Sequence, residues 1–147
     1  MARIITALPL FTETATTGEK RSTLKERLVF MARMAASQVN VIRDSALGFW
    51  YDGDDEYRDE SHHLVLEGSE AAIRRAVVEF GRATGQLEML FVPVEEGHVV
   101  AQTVGGEREC RAFAKVYGGA TMLTSIGEEG NHPIVSYRYN GLVTSSK

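Results

Sequence analysis

The residues with the greatest potential for chemistry lie in one acidic segment, 51–60 (YDGDDEYRDE). It holds six carboxylates and one arginine between two stretches that are predicted to be β-strands. Such a segment serves either to keep a loop solvated or to attract a positively charged ligand. Its end residues, Tyr51 and Glu60, are expected at adjacent strand ends, where a rigid sheet can hold a ligand.

The same region does not indicate a metal site. Alternate carboxylates from Asp52 onward have the spacing at the start of a calcium loop, but Tyr57 stands where that loop needs glycine. His62 and His63 are consecutive in a predicted strand, so they point to opposite faces. One cysteine, Cys110, gives no zinc spacing, and the phosphate-loop pattern GxxxxGK[ST] does not occur. These residues therefore predict neither a metal site nor a phosphate-binding loop.

Composition narrows the class of protein. The 147 residues are 44% hydrophobic and carry 16 Lys and Arg against 20 Asp and Glu, for a net charge of −4. This suits one globular domain and argues against a general nucleic-acid binder. No apolar run is long enough to span a membrane, and the apolar N-terminal residues 1–11 are predicted to be a strand rather than a signal sequence. We expect a cytoplasmic protein.

The elements that would position the acidic segment follow a regular order. We predict a strand at 3–11, a helix at 23–37, strands at 40–51 and 62–67, a helix at 69–83 and a strand at 88–93. The first helix begins with a capping box at Thr23 and Glu26. Its apolar stripe is Leu24, Leu28, Met31 and Ala35. Ser69 caps the second helix and Gly85 ends it. This βαββαβ order predicts a ferredoxin-like α+β fold.

The remainder of the chain is predicted to be rich in β-structure. Short apolar runs at 98–104, 112–117, 120–126 and 133–139 are separated by glycines. We therefore predict a single domain with a core at about 1–93 and a β-rich extension at about 94–147.

Several segments together resemble a known family. They are 48–51 (GFWY) at the end of a strand, 60–66 (ESHHLVL) after the acidic gap, the helix at 69–83, and 86–92 (QLEMLFV). This pattern resembles the bacteriophage S-adenosylmethionine lyases, anti-restriction enzymes formerly described as S-adenosylmethionine hydrolases. The resemblance implies a ferredoxin-like subunit in a homotrimer, acting in the host cytoplasm. It also implies cleavage of S-adenosylmethionine to methylthioadenosine and homoserine lactone between subunits, without metal or cofactor.

Carried over by position, the resemblance implies particular residue roles. Tyr51 and Glu60 would form the catalytic pair, Gln86 and Glu88 would contact the substrate, and the loop around Thr12 would approach it. The ligand would be S-adenosylmethionine or another small cationic nucleoside. The family's G-x-Y strand ending is one residue longer here, so it stays open which aromatic residue of 49–51 faces the ligand.

Two other functions fit the same residues. One is a noncatalytic oligomer that binds or sequesters a small molecule, because fold alone does not decide function. It predicts that the ligand is recovered unchanged. The other is an acidic inhibitor that binds a protein by mimicking nucleic acid, although a net charge of −4 is small for a mimic. Neutralising Asp52, Asp54 and Asp55 would then abolish partner binding.

Overall fold

A computed structural model describes residues 1–13, 18–86, 88–93, 99–104, 107–123, 132–137 and 142–144. The helices in these ranges are α1 (Leu24–Ala36), α2 (Glu70–Thr84) and α3 (Glu107–Tyr117). The strands are β1 (Ala2–Pro9), β2 (Phe11–Glu13), β3 (Lys20–Ser22), β4 (Asn40–Asp52), β5 (Asp55–Gly68), β6 (Glu88–Leu90), β7 (Val92–Pro93), β8 (Val99–Val104), β9 (Gly119–Leu123), β10 (His132–Tyr137) and β11 (Leu142–Thr144).

Seven of these strands form one sheet in the order β7-β1-β5-β4-β9-β10-β8. Every neighbouring pair in it is antiparallel. Two small ribbons, β2–β3 and β6–β11, lie outside it. The fold is therefore α+β. Strands from the predicted extension continue the same sheet, because β9 pairs with β4 along five residue positions from Ala46↔Leu123 to Trp50↔Gly119.

The first predicted helix is confirmed over Leu24–Ala36, but its capping and its buried face were predicted wrongly. The hydroxyl of Thr23 does not cap the helix and instead donates to the carbonyl oxygen of Pro9 at 2.5 Å. The helix buries Phe30 and Met34, whereas Leu24 and Leu28 are exposed. The predicted residues and the pair Phe30 and Met34 both have helical spacing. Packing against α2 decides that the second set is buried, because the rings of Phe30 and Phe80 meet edge to face there.

The second predicted helix is confirmed with both of its ends. Ser69 Oγ accepts a hydrogen bond from the Ala72 amide at 3.3 Å, as an N-cap does. Gly85 ends the helix with φ 73°, a left-handed conformation that glycine adopts without a Cβ clash. Helix α2 buries Ile73, Ala76, Val77, Phe80, Gly81 and Thr84.

The acidic segment forms the turn and the adjoining strand ends of a long hairpin, so its prediction as a loop between strands is wrong. Strand β4 continues to Asp52 and β5 starts at Asp55, with only a tight turn between them. Gly53 in that turn has φ 61°. The charged side chains that favour a loop are tolerated because this part of β5 is exposed along 55–60.

The prediction of β-structure at 112–117 is also wrong, because these residues belong to helix α3. Cys110 and Ala114, one turn apart, are buried against β4 and β9. Glutamates in the first turn and Lys115 in the last turn have the charges that favour the helix dipole. The other three runs overlap β8, β9 and β10, although residues 98, 124–126 and 138–139 lie outside the described ranges.

Two apolar clusters hold the helices to the sheet. The larger lies between α1, α2 and the strands β1 and β5, and includes Ile4, Leu64 and Leu66. The smaller lies under α3 and includes Leu47, Phe49 and Met122. Within the described residues, no helix is long and apolar enough to cross a membrane.

Candidate functional site

A groove of about 620 Å³ runs between the β2–β3 ribbon and the outer half of β5. It exists because β1 and β5 pair only as far as Pro9↔Ser61, after which the chain turns away into β2. One further backbone bond, from the Leu10 amide to the Glu60 carbonyl oxygen at 2.9 Å, closes its inner end. The lining residues are Phe11, Thr12, Glu13, Lys20, Glu56, Tyr57, Arg58, Asp59, Glu60 and Gln86.

Three of the predicted site residues meet in this groove: Thr12 from β2, Glu60 from β5, and Gln86 after α2. A hydrogen bond from Thr12 Oγ1 to the Thr84 carbonyl oxygen, 2.7 Å long, ties β2 to the end of α2. The backbone N–H of Gln86 donates to the Gly81 carbonyl oxygen at 2.8 Å. This hydrogen bond accompanies the left-handed conformation that ends the helix. The groove is thus assembled from three separate chain segments.

The groove has an excess of negative charge, with four carboxylates and two cationic side chains in its lining. Desolvation raises the pKa of the Asp59 carboxyl above its ordinary value, and the charge of Lys20 opposes that effect. Asp59 is nevertheless exposed, so a ligand can reach it. Such a lining favours a cationic ligand.

Two aromatic side chains of the groove were missed by sequence reasoning. Phe11 and Tyr57 are 47% and 53% exposed, which is unusual for large rings and leaves both available for contact with a flat group. Tyr57 was considered only as the residue that breaks a calcium loop. The signal that could have found it is strand alternation, which puts Tyr57 and Asp59 on one face of β5.

Tyr51 lies away from Glu60 in the folded chain. Tyr51 is paired with Glu56 across the hairpin, whereas Glu60 is paired with Leu47. Four residues of extended strand separate these positions by roughly 13 Å. The expectation that both residues lie at strand ends is wrong for Glu60, which is inside β5.

Tyr51 instead belongs to a polar network beneath α3. Arg111 donates to both carboxylate oxygens of Glu56, each at 2.7 Å. This bond lowers the pKa of the Glu56 carboxyl, and a hydrogen bond from the Tyr51 side chain contributes to the same shift. Arg58 lies 3.8 Å from a Glu107 oxygen. These contacts attach α3 to the hairpin.

None of the three aromatic residues at 49–51 lines the groove. Phe49 is fully buried under α3, and Tyr51 packs beside it. Trp50 points to the other face and lies over Gly119, where an added Cβ would be 2.1 Å from the indole ring. Glu88 is part of β6 and its backbone pairs with Thr144, but its side chain lies outside the described residues.

Cys110 is fully buried in the cluster beneath α3, and burial raises the pKa of its thiol to about 11. Because the thiolate is the reactive form, we expect iodoacetamide at pH 8 to alkylate the folded protein far more slowly than the urea-unfolded protein. Mass measurement over time checks this. Equal rates in the two states would contradict the packing of α3.

The chemistry available in the groove is that of carboxylates, an amide, hydroxyls, aromatic rings, one lysine and one arginine. In the described part of the chain, no group of three His, Cys, Asp or Glu residues could hold a metal ion. The arrangement can orient a cationic ligand and neutralise its charge.

Comparisons with known proteins add no assignment. No family model, curated protein or solved structure matches the chain.

Proposed function

We propose that the protein is an S-adenosylmethionine lyase and that the groove beside β5 is its substrate site. The observation that carries this proposal is the meeting of Thr12, Glu60 and Gln86 in one groove with excess negative charge. S-adenosylmethionine has a sulfonium and an ammonium group, so an acidic groove attracts it. The exposed rings of Phe11 and Tyr57 suit the adenine base.

The reaction needs little from the protein. The substrate's own carboxylate oxygen attacks its γ-carbon, the bond between that carbon and sulfur breaks, and the electron pair goes to sulfur. The products are methylthioadenosine and homoserine lactone, and no water or proton is consumed. Opposite charges are neutralised in the transition state. The site therefore acts by folding the methionyl chain for attack and by excluding water from the two charged groups.

The proposed roles follow from this chemistry. Glu60 holds the substrate ammonium or the ribose hydroxyls, and Gln86 and Thr12 fix the rest of the molecule. Asp59 adds to the field that attracts the sulfonium. Tyr51 lies roughly 13 Å away along the same face of the hairpin, so we propose that it orients substrate bound by a neighbouring subunit.

We propose a ferredoxin-like subunit in a homotrimer acting in the host cytoplasm. The strand order β7-β1-β5-β4 supports the ferredoxin-like part, because α1 connects β1 to β4 and α2 connects β5 to β6 and β7 in the βαββαβ order. An oligomer is consistent with the exposed Leu24 and Leu28 of α1, which are 54% and 62% exposed. As a phage enzyme it would act against restriction by depleting the substrate.

The proposal is tested by incubating the purified protein with S-adenosylmethionine and following small molecules by mass spectrometry. We expect methylthioadenosine to accumulate while the substrate disappears. Substrate that is bound but recovered intact would contradict the enzyme and favour the sequestering protein. Substrate that is neither bound nor cleaved would leave the acidic inhibitor, with its exposed tip at Asp52, Asp54 and Asp55, as the better account.

A further inference from the structure

A second charged surface lies on the helix-bearing face of the sheet, next to the groove residue Glu60. Strand alternation places residues 41, 43, 45 and 47 of β4 on one face. Val41 packs against the α1–α2 core and Leu47 lies under α3. Arg43 and Ser45 are therefore on the sheet surface between the two helix clusters, and His62 is the cross-strand partner of Ser45.

Helix α1 adds a second arginine, Arg27, to this surface. Arg27 Nε donates to Thr23 Oγ1 at 2.9 Å, and that hydroxyl donates to the Pro9 carbonyl oxygen. Thr23 is fully buried, so this hydrogen bond ties the Arg27 side chain to a fixed part of the fold. Pro9 pairs with Ser61, the residue before His62, so this anchor of Arg27 lies beside that part of β5.

The nearest carboxylates balance these groups only in part: the charge of Glu26 raises the pKa of Arg27, against the larger effects that lower it. No ion pair joins Arg27, Arg43 or His62 to an acidic side chain in the described residues. Glu26, the nearest acidic neighbour of Arg27 in sequence, lies 2.8 Å from Arg21. Desolvation lowers the pKa of His62, and repulsion from Arg43 and then Arg27 lowers it further.

Desolvation and then the charge of Arg43 also lower the pKa of Arg27, and the charge of Glu26 opposes them. Arg43 and Ser45 are exposed, whereas Arg27 and His62 are half-buried. The cluster is thus open to a ligand on one side and fixed by the fold on the other.

We propose that Arg27, Arg43 and His62 form a binding site for a small oxyanion, either a phosphate or a carboxylate group. Guanidinium groups present forked donors that match the oxygens of both anions, and the Ser45 hydroxyl is a further donor on the same surface. The inference does not depend on the lyase proposal, since none of its residues lines the groove.

The test is the titration of His62 followed by nuclear magnetic resonance of labelled histidine rings, with His62→Gln used to assign its signal. The charged groups around it are Arg43 from β4, Arg27 from α1 and Glu60 two residues along β5. We expect inorganic phosphate to raise the His62 pKa by roughly one unit, as a contacting opposite charge does. Acetate should act at higher concentration if the site also takes carboxylates.

Sodium chloride at matched ionic strength separates binding from screening. We expect chloride to raise the His62 pKa by less than phosphate does, and an equal rise would overturn the proposal. Arg43→Gln should remove most of the shift caused by phosphate, whereas Arg75→Gln, which changes the same charge on the exposed side of α2, should leave it intact. A His62 pKa that moves with neither phosphate nor acetate would also overturn the proposal.

Discussion

Replacing Glu60 by Gln is expected to lower kcat/KM for S-adenosylmethionine cleavage by about 10- to 100-fold. The substitution keeps the size of the side chain but removes the charge that holds the substrate's ammonium or ribose hydroxyls. A hydrogen bond to a charged group contributes about 1.5–3 kcal/mol, and about 1.4 kcal/mol corresponds to a tenfold change in rate. Initial rates of methylthioadenosine formation measure the effect.

Glu67→Gln is the matched control for this prediction. Glu67 is on the same strand but at its other end, where it lies 3.5 Å from Arg3, and it is absent from the groove lining. We expect the control variant to retain the rate of the unmodified protein. Equal activity of the Glu60 variant and the unmodified protein would remove Glu60 from the proposed site, even if the lyase activity itself is present.

The second large effect is expected on stability. Replacing Phe49 by Ala should lower the free energy of unfolding by about 3–5 kcal/mol, as for other buried aromatic residues. Phe49 is fully buried between α3 and the hairpin, and the guanidinium carbons of Arg58 and Arg111 lie 6.0 and 5.7 Å from its ring centroid. Its loss leaves a cavity at the contact that fixes α3. Urea unfolding measures the change.

Tyr57 on the same hairpin provides the opposite case. Its ring is 53% exposed and lines the groove, so Tyr57→Ala should change stability by less than about 0.5 kcal/mol while raising KM for S-adenosylmethionine. A Phe49 variant as stable as the unmodified protein would contradict the packing of α3. A Tyr57 variant with unchanged KM would exclude that ring from the substrate contact.

Local signals predicted the helices and most of the strands in the first 93 residues. Ser69 and Gly85 delimit α2 through chemistry that acts within a few residues, so the sequence alone suffices to place both ends. The buried face of α1 could not be found in this way. Leu24, Leu28, Phe30 and Met34 all have helical spacing, and only contact with α2 and the sheet decides which pair is buried.

Only part of the candidate site could be predicted, because local signals do not report contacts between distant segments of the chain. Glu60 was predicted as the last residue of the acidic segment and Gln86 through the resemblance, but the groove also needs the turn of the chain after Pro9, which brings Phe11 and Thr12 to β5. That approach joins residues about 50 positions apart and leaves no periodic signal. The position of Tyr51 depends on the register of the β4–β5 hairpin. The acidic composition of 51–60 suggests a loop and therefore gives no indication of that register.

Cleavage in water enriched in oxygen-18 tests the central claim most directly, because it reports which atom attacks the γ-carbon. Intramolecular attack predicts that the lactone first released carries no label, and that its later opening at the carbonyl labels only the carboxyl group. The oxygen bonded to the γ-carbon therefore stays unlabelled. Homoserine labelled at its hydroxyl from the earliest time points would mean attack by water and would contradict the lyase mechanism, and intact S-adenosylmethionine would contradict the proposed activity altogether.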